Sequence, residues 1–116
     1  MRIRCLIVDD NEAFLEAARV LLEREGISVV GVATTSVEAM RLAGELRPDV
    51  VLVDIRLGEE SGFQLANRLD ETVILISTDG PTKFAEEIAA SSAAGFIPKD
   101  RLSASAIARQ LARVSE

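Results

Sequence analysis

The segment Cys5-Leu6-Ile7-Val8-Asp9-Asp10-Asn11-Glu12 decides how the chain is read. A short apolar run of buried-strand length ends in three acids within four positions. Adjacent like charges at the end of a buried strand repel each other, so Asp9 and Asp10 need a reason to be there. Working outward, short apolar runs recur at residues 29–33, 50–53, 73–76 and 95–97. They are rich in Val and Ile and show little polar alternation, the pattern of strands covered on both faces.

Helical patterns fill the intervals. Phe14, Ala17, Ala18, Leu21 and Leu22 share one face of a helix that Gly26 stops. Thr35 followed by Glu38 reads as a capping box. The helix it opens has Ala39, Leu42, Ala43 and Leu46 on one face and ends near Pro48. A short third helix spans residues 61–69. A fourth starts after Pro81 with Phe84, Ala85, Ile88 and Ala89 inward. Ser103 caps a fifth, with Ala104, Ile107, Leu111 and Val114 toward the sheet. Five strand–helix units make an α/β domain over residues 1–116, a doubly wound parallel sheet with right-handed crossovers and helices on both faces. Two strand orders remain open to so small a unit. In either, ligands bind outside the carboxyl ends of the strands, where the order reverses.

Composition narrows the function classes. The 116 residues, 48% of them hydrophobic, suffice for one core without staples. Cys5 is the lone cysteine, which excludes an internal disulfide, fits a reducing cytoplasm and reads as a small buried hydrophobe. No apolar run approaches the roughly 18 residues of a membrane helix. The N-terminal residues pass directly into acids, so no signal peptide is expected. A net charge of −6, scattered basic residues and the absence of Trp and Tyr argue against nucleic-acid contact by this domain.

The strand ends carry the chemistry. Asp9 and Asp10 follow the first strand, Asp54 the third, Ser77 and Thr78 the fourth, and Lys99 the fifth, while the second ends blandly at Ala33 and Thr34. Singly, each has an ordinary reading as a turn, cap or surface residue. Together they put carboxylates, hydroxyls and an ammonium on one sheet edge. Clustered carboxylates need a cation, and oxygen donors with retained waters describe Mg²⁺. An Asp carboxylate can accept a phosphoryl group as an acyl phosphate, with Ser77 and Lys99 able to bind phosphoryl oxygens. No Gly-rich phosphate loop follows the first strand and the chain has no His, which disfavours nucleotide binding.

In order, "LIVDDNE", "VDIRLGEESG", "ILIST" and "GFIPKD" resemble the receiver domain of bacterial two-component response regulators over essentially the whole chain. The resemblance implies the flavodoxin-like (βα)5 fold with strand order 2-1-3-4-5. It implies Asp54 as phosphoacceptor, Asp10 as a direct Mg²⁺ ligand with Asp9 beside it, and the Arg56 backbone carbonyl as a further ligand. Ser77 and Lys99 then contact the phosphoryl group, and Phe96 is the switch aromatic. Phosphorylation by a histidine kinase would draw in Ser77, turn Phe96 inward and remodel the face of the fourth helix, fifth strand and fifth helix, where partners or a second protomer bind. A cis peptide is expected beside Pro98, at the Lys99 bond on the resemblance, although the Ile97–Pro98 bond is the cheaper one.

Two departures stand out. Gly58 replaces the usual Pro four residues after the phosphoacceptor, which predicts a looser loop, and the short interval to Ser77 predicts an abbreviated third helix. The resemblance implies a cytoplasmic signalling switch and not an enzyme, apart from autocatalytic phosphorylation and dephosphorylation. The sequence reads as the N-terminal part of a longer DNA-binding regulator of the helix-turn-helix kind. The alternative is a stand-alone receiver acting through proteins or in a phosphorelay. A Mg²⁺-dependent phosphatase of the haloacid dehalogenase type would carry a second Asp where Arg56 stands, and a degenerate receiver would lack a chemical group that is here present.

Overall fold

Strands that read as continuously apolar are covered on both faces. In the computed structural model, which describes residues 2–80 and 82–114, they are β1 (Arg4–Val8), β3 (Val50–Asp54) and β6 (Val73–Ser77) at the centre of a parallel sheet. β2 (Ser28–Ala33) and β7 (Gly95–Pro98) form the edges, giving the order β2-β1-β3-β6-β7. Counting only these five strands, the order is 2-1-3-4-5, as the resemblance implies. The reversal falls between β1 and β3, which puts Asp9 beside Asp54.

Alternation along each strand divides the core. Leu6, Val8, Val51, Val53, Val73 and Leu75 face α2 (Ser36–Leu46), α3 (Gly62–Arg68) and α4 (Ala85–Ala90). Cys5, Ile7, Val50, Leu52, Ile74 and Ile76 face α1 (Glu12–Arg24) and α5 (Ala104–Val114). Burial pushes the Cys5 thiol up to about 12, so it packs as a hydrophobe.

The caps follow the sequence closely. Asn11 Oδ1 accepts from Phe14 N at 3.2 Å and starts α1, with Glu12 in the first turn where a negative charge suits the helix dipole. Thr35 Oγ1 accepts from Glu38 N at 3.2 Å, and Glu38 returns to Thr34 N at 2.9 Å, one residue earlier than the usual capping box. Ser103 Oγ accepts from Ala106 N at 3.0 Å. The third helix is abbreviated to seven residues.

The helix faces need correction. α1 buries Leu15, Ala18 and Leu22, while Ala17 is exposed and Leu21 largely so. Stripes starting at Phe14 and at Leu15 both pass through Ala18, and the position of the sheet selects the second. On α4 only Ile88, with Phe84 just before the helix, packs inward, because so short a helix presents one narrow stripe; Ala85 and Ala89 are exposed. Val114 at the end of α5 is exposed as well. Pro81, expected to open the fourth helix, lies outside the described residues.

Two further expectations fail at the loops. No peptide bond among the described residues is cis. Pro98 sits at φ −60° and ψ 141°, extended geometry that a trans bond serves at lower cost, and it continues β7 into the 3₁₀ turn Lys99–Arg101. The loop after β3 is not loose either. Arg56–Leu57 (β4) and Glu60–Ser61 (β5) pair as an antiparallel hairpin joined by Gly58 and Glu59. Gly58 at φ +60° occupies the first turn position, where a tight hairpin of this kind requires glycine.

Candidate phosphoacceptor and metal site

Each expected side chain arrives at the same sheet edge on its own strand. Asp9 and Asp10 leave β1, Asp54 ends β3, Ser77 ends β6 and Lys99 follows β7. They line one cavity of about 270 Å³, joined there by Arg56, Asn11, Gly58, Thr78 and Asp79. Two larger clefts, about 330 Å³ beside α1 and about 430 Å³ along α5, do not gather these strand-end groups.

Charge organises the cavity. Asp9 is fully buried, Asp54 and Ser77 nearly so, and Asp10 is exposed. Lys99 Nζ lies 2.5 Å from Asp9 Oδ2 and 3.3 Å from Asp54 Oδ2, and 4.3 Å above the Phe14 ring. The ammonium thus bridges two buried carboxylates and rests on an aromatic face. Burial, reinforced by the charge of Asp9 and opposed by Lys99, pushes the Asp54 carboxyl up to about 6. Arg56 N also donates to Asp54 Oδ1 at 3.4 Å, and Ser77 Oγ accepts from Asp79 N at 3.1 Å.

The donor set fits a hard divalent cation. One carboxylate oxygen each from Asp9, Asp10 and Asp54 lie within 4.8 Å of one another. Asp9 Oδ2 is buried against the Lys99 ammonium at 2.5 Å. An all-oxygen set of clustered carboxylates, more acids than the single ammonium of Lys99 can offset, is what Mg²⁺ selects.

Residues 5–110 match the response regulator receiver domain family. The chain belongs to that family. BvgA of Bordetella pertussis, named as a positive transcription regulator of virulence factors, is 32% identical over 101 residues, covering 83% of this chain and 48% of its own length. The chain spans about half the length of the curated relatives it matches. The receiver domain of a diguanylate cyclase from Desulfovibrio desulfuricans superposes with TM-score 0.80 at 30% identity, covering 97% of this chain and 93% of that one. A Burkholderia pseudomallei response regulator, solved with a phosphorylated aspartic acid, a calcium ion and citrate, superposes at 0.80 with 26% identity, covering 97% and 71%. Family membership agrees with the sheet order and with the acidic pocket by which receivers bind Mg²⁺.

In this receiver Phe96 is half-buried. It packs against the core on the α4 side and lines the cleft along α5. Several contacts escaped the sequence reading. Phe14 was assigned to the core alone, but its ring also carries Lys99. Gly62, eight residues after Asp54, has a steric reason to be glycine: a Cβ there would stand 2.0 Å from the Asp54 carbonyl oxygen. Glu60 gave no signal, because its partner Ser36 is twenty-four residues away.

The elevated Asp54 carboxyl has a measurable consequence. Its folded value near 6 exceeds the ordinary 3.8, so the folded state holds the proton more tightly than the unfolded chain. Without metal, this group therefore lowers stability as pH rises from about 4 to about 6, and changes nothing above that range. In EDTA, the stability advantage of Asp54→Asn over wild type should grow across this window to at most about 3 kcal/mol. A pH-independent difference in urea midpoints would refute this account of the carboxyl.

Proposed function

We propose that this receiver accepts a phosphoryl group on Asp54 in a Mg²⁺-dependent transfer from a histidine kinase, the usual partner of response regulators. The observation carrying this reading is the nearly buried Asp54 carboxylate, 3.3 Å from Lys99 Nζ and within reach of Asp9 and Asp10 at the switch point of the sheet. Asp54 Oδ attacks phosphorus, the bond from phosphorus to the donor nitrogen breaks, and an acyl phosphate forms. Lys99 is placed to hold one phosphoryl oxygen as charge moves onto the carboxyl group, and Ser77 can turn its hydroxyl to donate to another. Asp9, Asp10, Asp54 and the Arg56 carbonyl would hold Mg²⁺, which when bound offsets the charge of the acids and of the incoming phosphoryl oxygens.

On this reading Asp54 carries the phosphoryl group as a switch and not as an enzyme with turnover. The signal would leave through Ser77 and Phe96 to the face of α4, β7 and α5, with a second protomer as one possible occupant. On the same reading the chain is part of a longer DNA-binding protein acting in the cytoplasm, with no nucleic-acid or membrane contact by this domain. The naming of BvgA as a transcription regulator supports the regulatory role. Among the described residues no helix is long and apolar enough to cross a membrane. The alternative reading is a stand-alone receiver in a phosphorelay.

Acetyl phosphate with Mg²⁺ should add one phosphoryl mass to the intact chain. Once the excess donor is removed the label should decay to free phosphate, while a phosphomonoester such as p-nitrophenyl phosphate is not turned over. Absence of the added mass would refute the proposal, and sustained turnover would favour the phosphatase. Asp10→Ala should weaken Mg²⁺ by at least about tenfold, the usual cost of disturbing a metal site. A calorimetric titration identical to wild type would remove Asp10 from it.

A further inference from the structure

The β4–β5 hairpin begins two residues after Asp54 and runs into Gly62, so its seating governs the backbone beside the phosphoacceptor. It contacts that residue directly, since Arg56 N donates to Asp54 Oδ1 at 3.4 Å. At the hairpin base, Gly62 N donates to Ile55 O at 2.8 Å. Two strands of two residues cannot hold themselves in place in water, so the hairpin needs outside anchors. On one strand Leu57 is buried in the core, and the exposed Arg56 guanidinium adds a weak contact 5.6 Å from the Phe84 ring. On the other, Glu60 reaches away from the acidic cavity to the start of α2. Its carboxylate accepts from Ser36 N at 3.1 Å and, in a very short hydrogen bond, from Ser36 Oγ. Ser36 is buried, which is uncommon for serine, and the negative carboxylate faces the positive end of the α2 dipole.

We infer that Glu60 is a positioning residue for the cation cavity: it pins the hairpin to Ser36 and thereby fixes Arg56 and the Asp54 carboxylate without touching either metal or phosphoryl group. This rests on the reading of the acids as a Mg²⁺ site. The competing role is that of a simple cap for α2, which would stabilise the helix and leave the cavity alone. The two differ in metal affinity.

Calorimetric Mg²⁺ titration of the full chain separates them. Glu60→Ala should weaken binding by about fivefold, less than the ~10–100-fold cost of losing a direct partner of a ligand. Glu60→Gln keeps an acceptor for Ser36 and should recover most of the loss. Ser36→Ala should weaken binding less than Glu60→Ala, because the Ser36 N–H remains. Added to Glu60→Ala it should weaken Mg²⁺ no further, since the two act through one contact. Faster hydrogen exchange at the Gly62 amide in Glu60→Ala should accompany the loss. Wild-type affinity in Glu60→Ala, with or without a lowered thermal midpoint, would overturn the inference and leave a cap. Losses that add in the double variant would overturn it too. If wild type itself binds no Mg²⁺, the proposed function fails first and this inference with it.

Discussion

Asp54→Asn protein incubated with acetyl phosphate and Mg²⁺ should gain no phosphoryl mass and should be more stable than wild type near neutral pH. The first effect follows from chemistry, because the amide oxygen is a poor nucleophile and no second carboxylate takes its place. Asp9 is fully buried and occupied by Lys99 at 2.5 Å, and Asp10 is on the exposed rim of the cavity. The second follows from electrostatics. Wild type keeps an ionised group nearly buried beside another carboxylate, which is why its carboxyl stands near 6. The neutral amide removes that repulsion and still offers Lys99 an acceptor. Function here conflicts with stability, as is common where charged groups are held ready for chemistry. Full labelling of Asp54→Asn would move the phosphoacceptor elsewhere, and a lower midpoint in EDTA would contradict the electrostatic account.

Gly62→Ala should be the most damaging single methyl in the chain next to the site. An added Cβ would meet the Asp54 carbonyl oxygen at 2.0 Å and its carbonyl carbon and Ile55 Cα at 2.9 Å. These are backbone atoms of the central strand and cannot swing aside as a side-chain tip can. Either α3 moves away from β3, breaking the Gly62 N to Ile55 O bond, or the end of β3 shifts and takes Asp54 with it. Overpacking of this kind costs about 3 kcal/mol. For a domain of this size that is roughly a 10–15 °C fall in thermal midpoint. A scanning calorimetry midpoint within a degree or two of wild type would mean that the close approach does not hold in solution. By contrast, Gly44 and Gly80 have open space at the same position.

Asp9, Asp10, Asp54, Ser77 and Lys99 were legible because each ends its own apolar run, and a parallel sheet must bring such ends to one edge. The periodicity of α1 was legible but its phase was not. Phe14, Leu15, Ala18, Leu21 and Leu22 support two adjacent stripes, and only docking on the sheet decides that Leu15 is buried and Leu21 is not. The third helix was expected to be short, yet the hairpin before it went unread, since β4 and β5 are too brief to show any alternation.

By itself the sequence determined the five strand–helix units, the identity of the groups at the strand ends and the caps at Thr35 and Ser103. These depend on local periodicity and on hydrogen bonds across a few residues. The tertiary structure alone decided that Lys99 bridges Asp9 and Asp54 while resting on Phe14, and that Gly62 must lack a side chain. It alone joined Glu60 to Ser36. Each of these pairs residues distant in the chain, and their attraction or exclusion acts over a few ångströms. It exists only once the sheet has closed around its core.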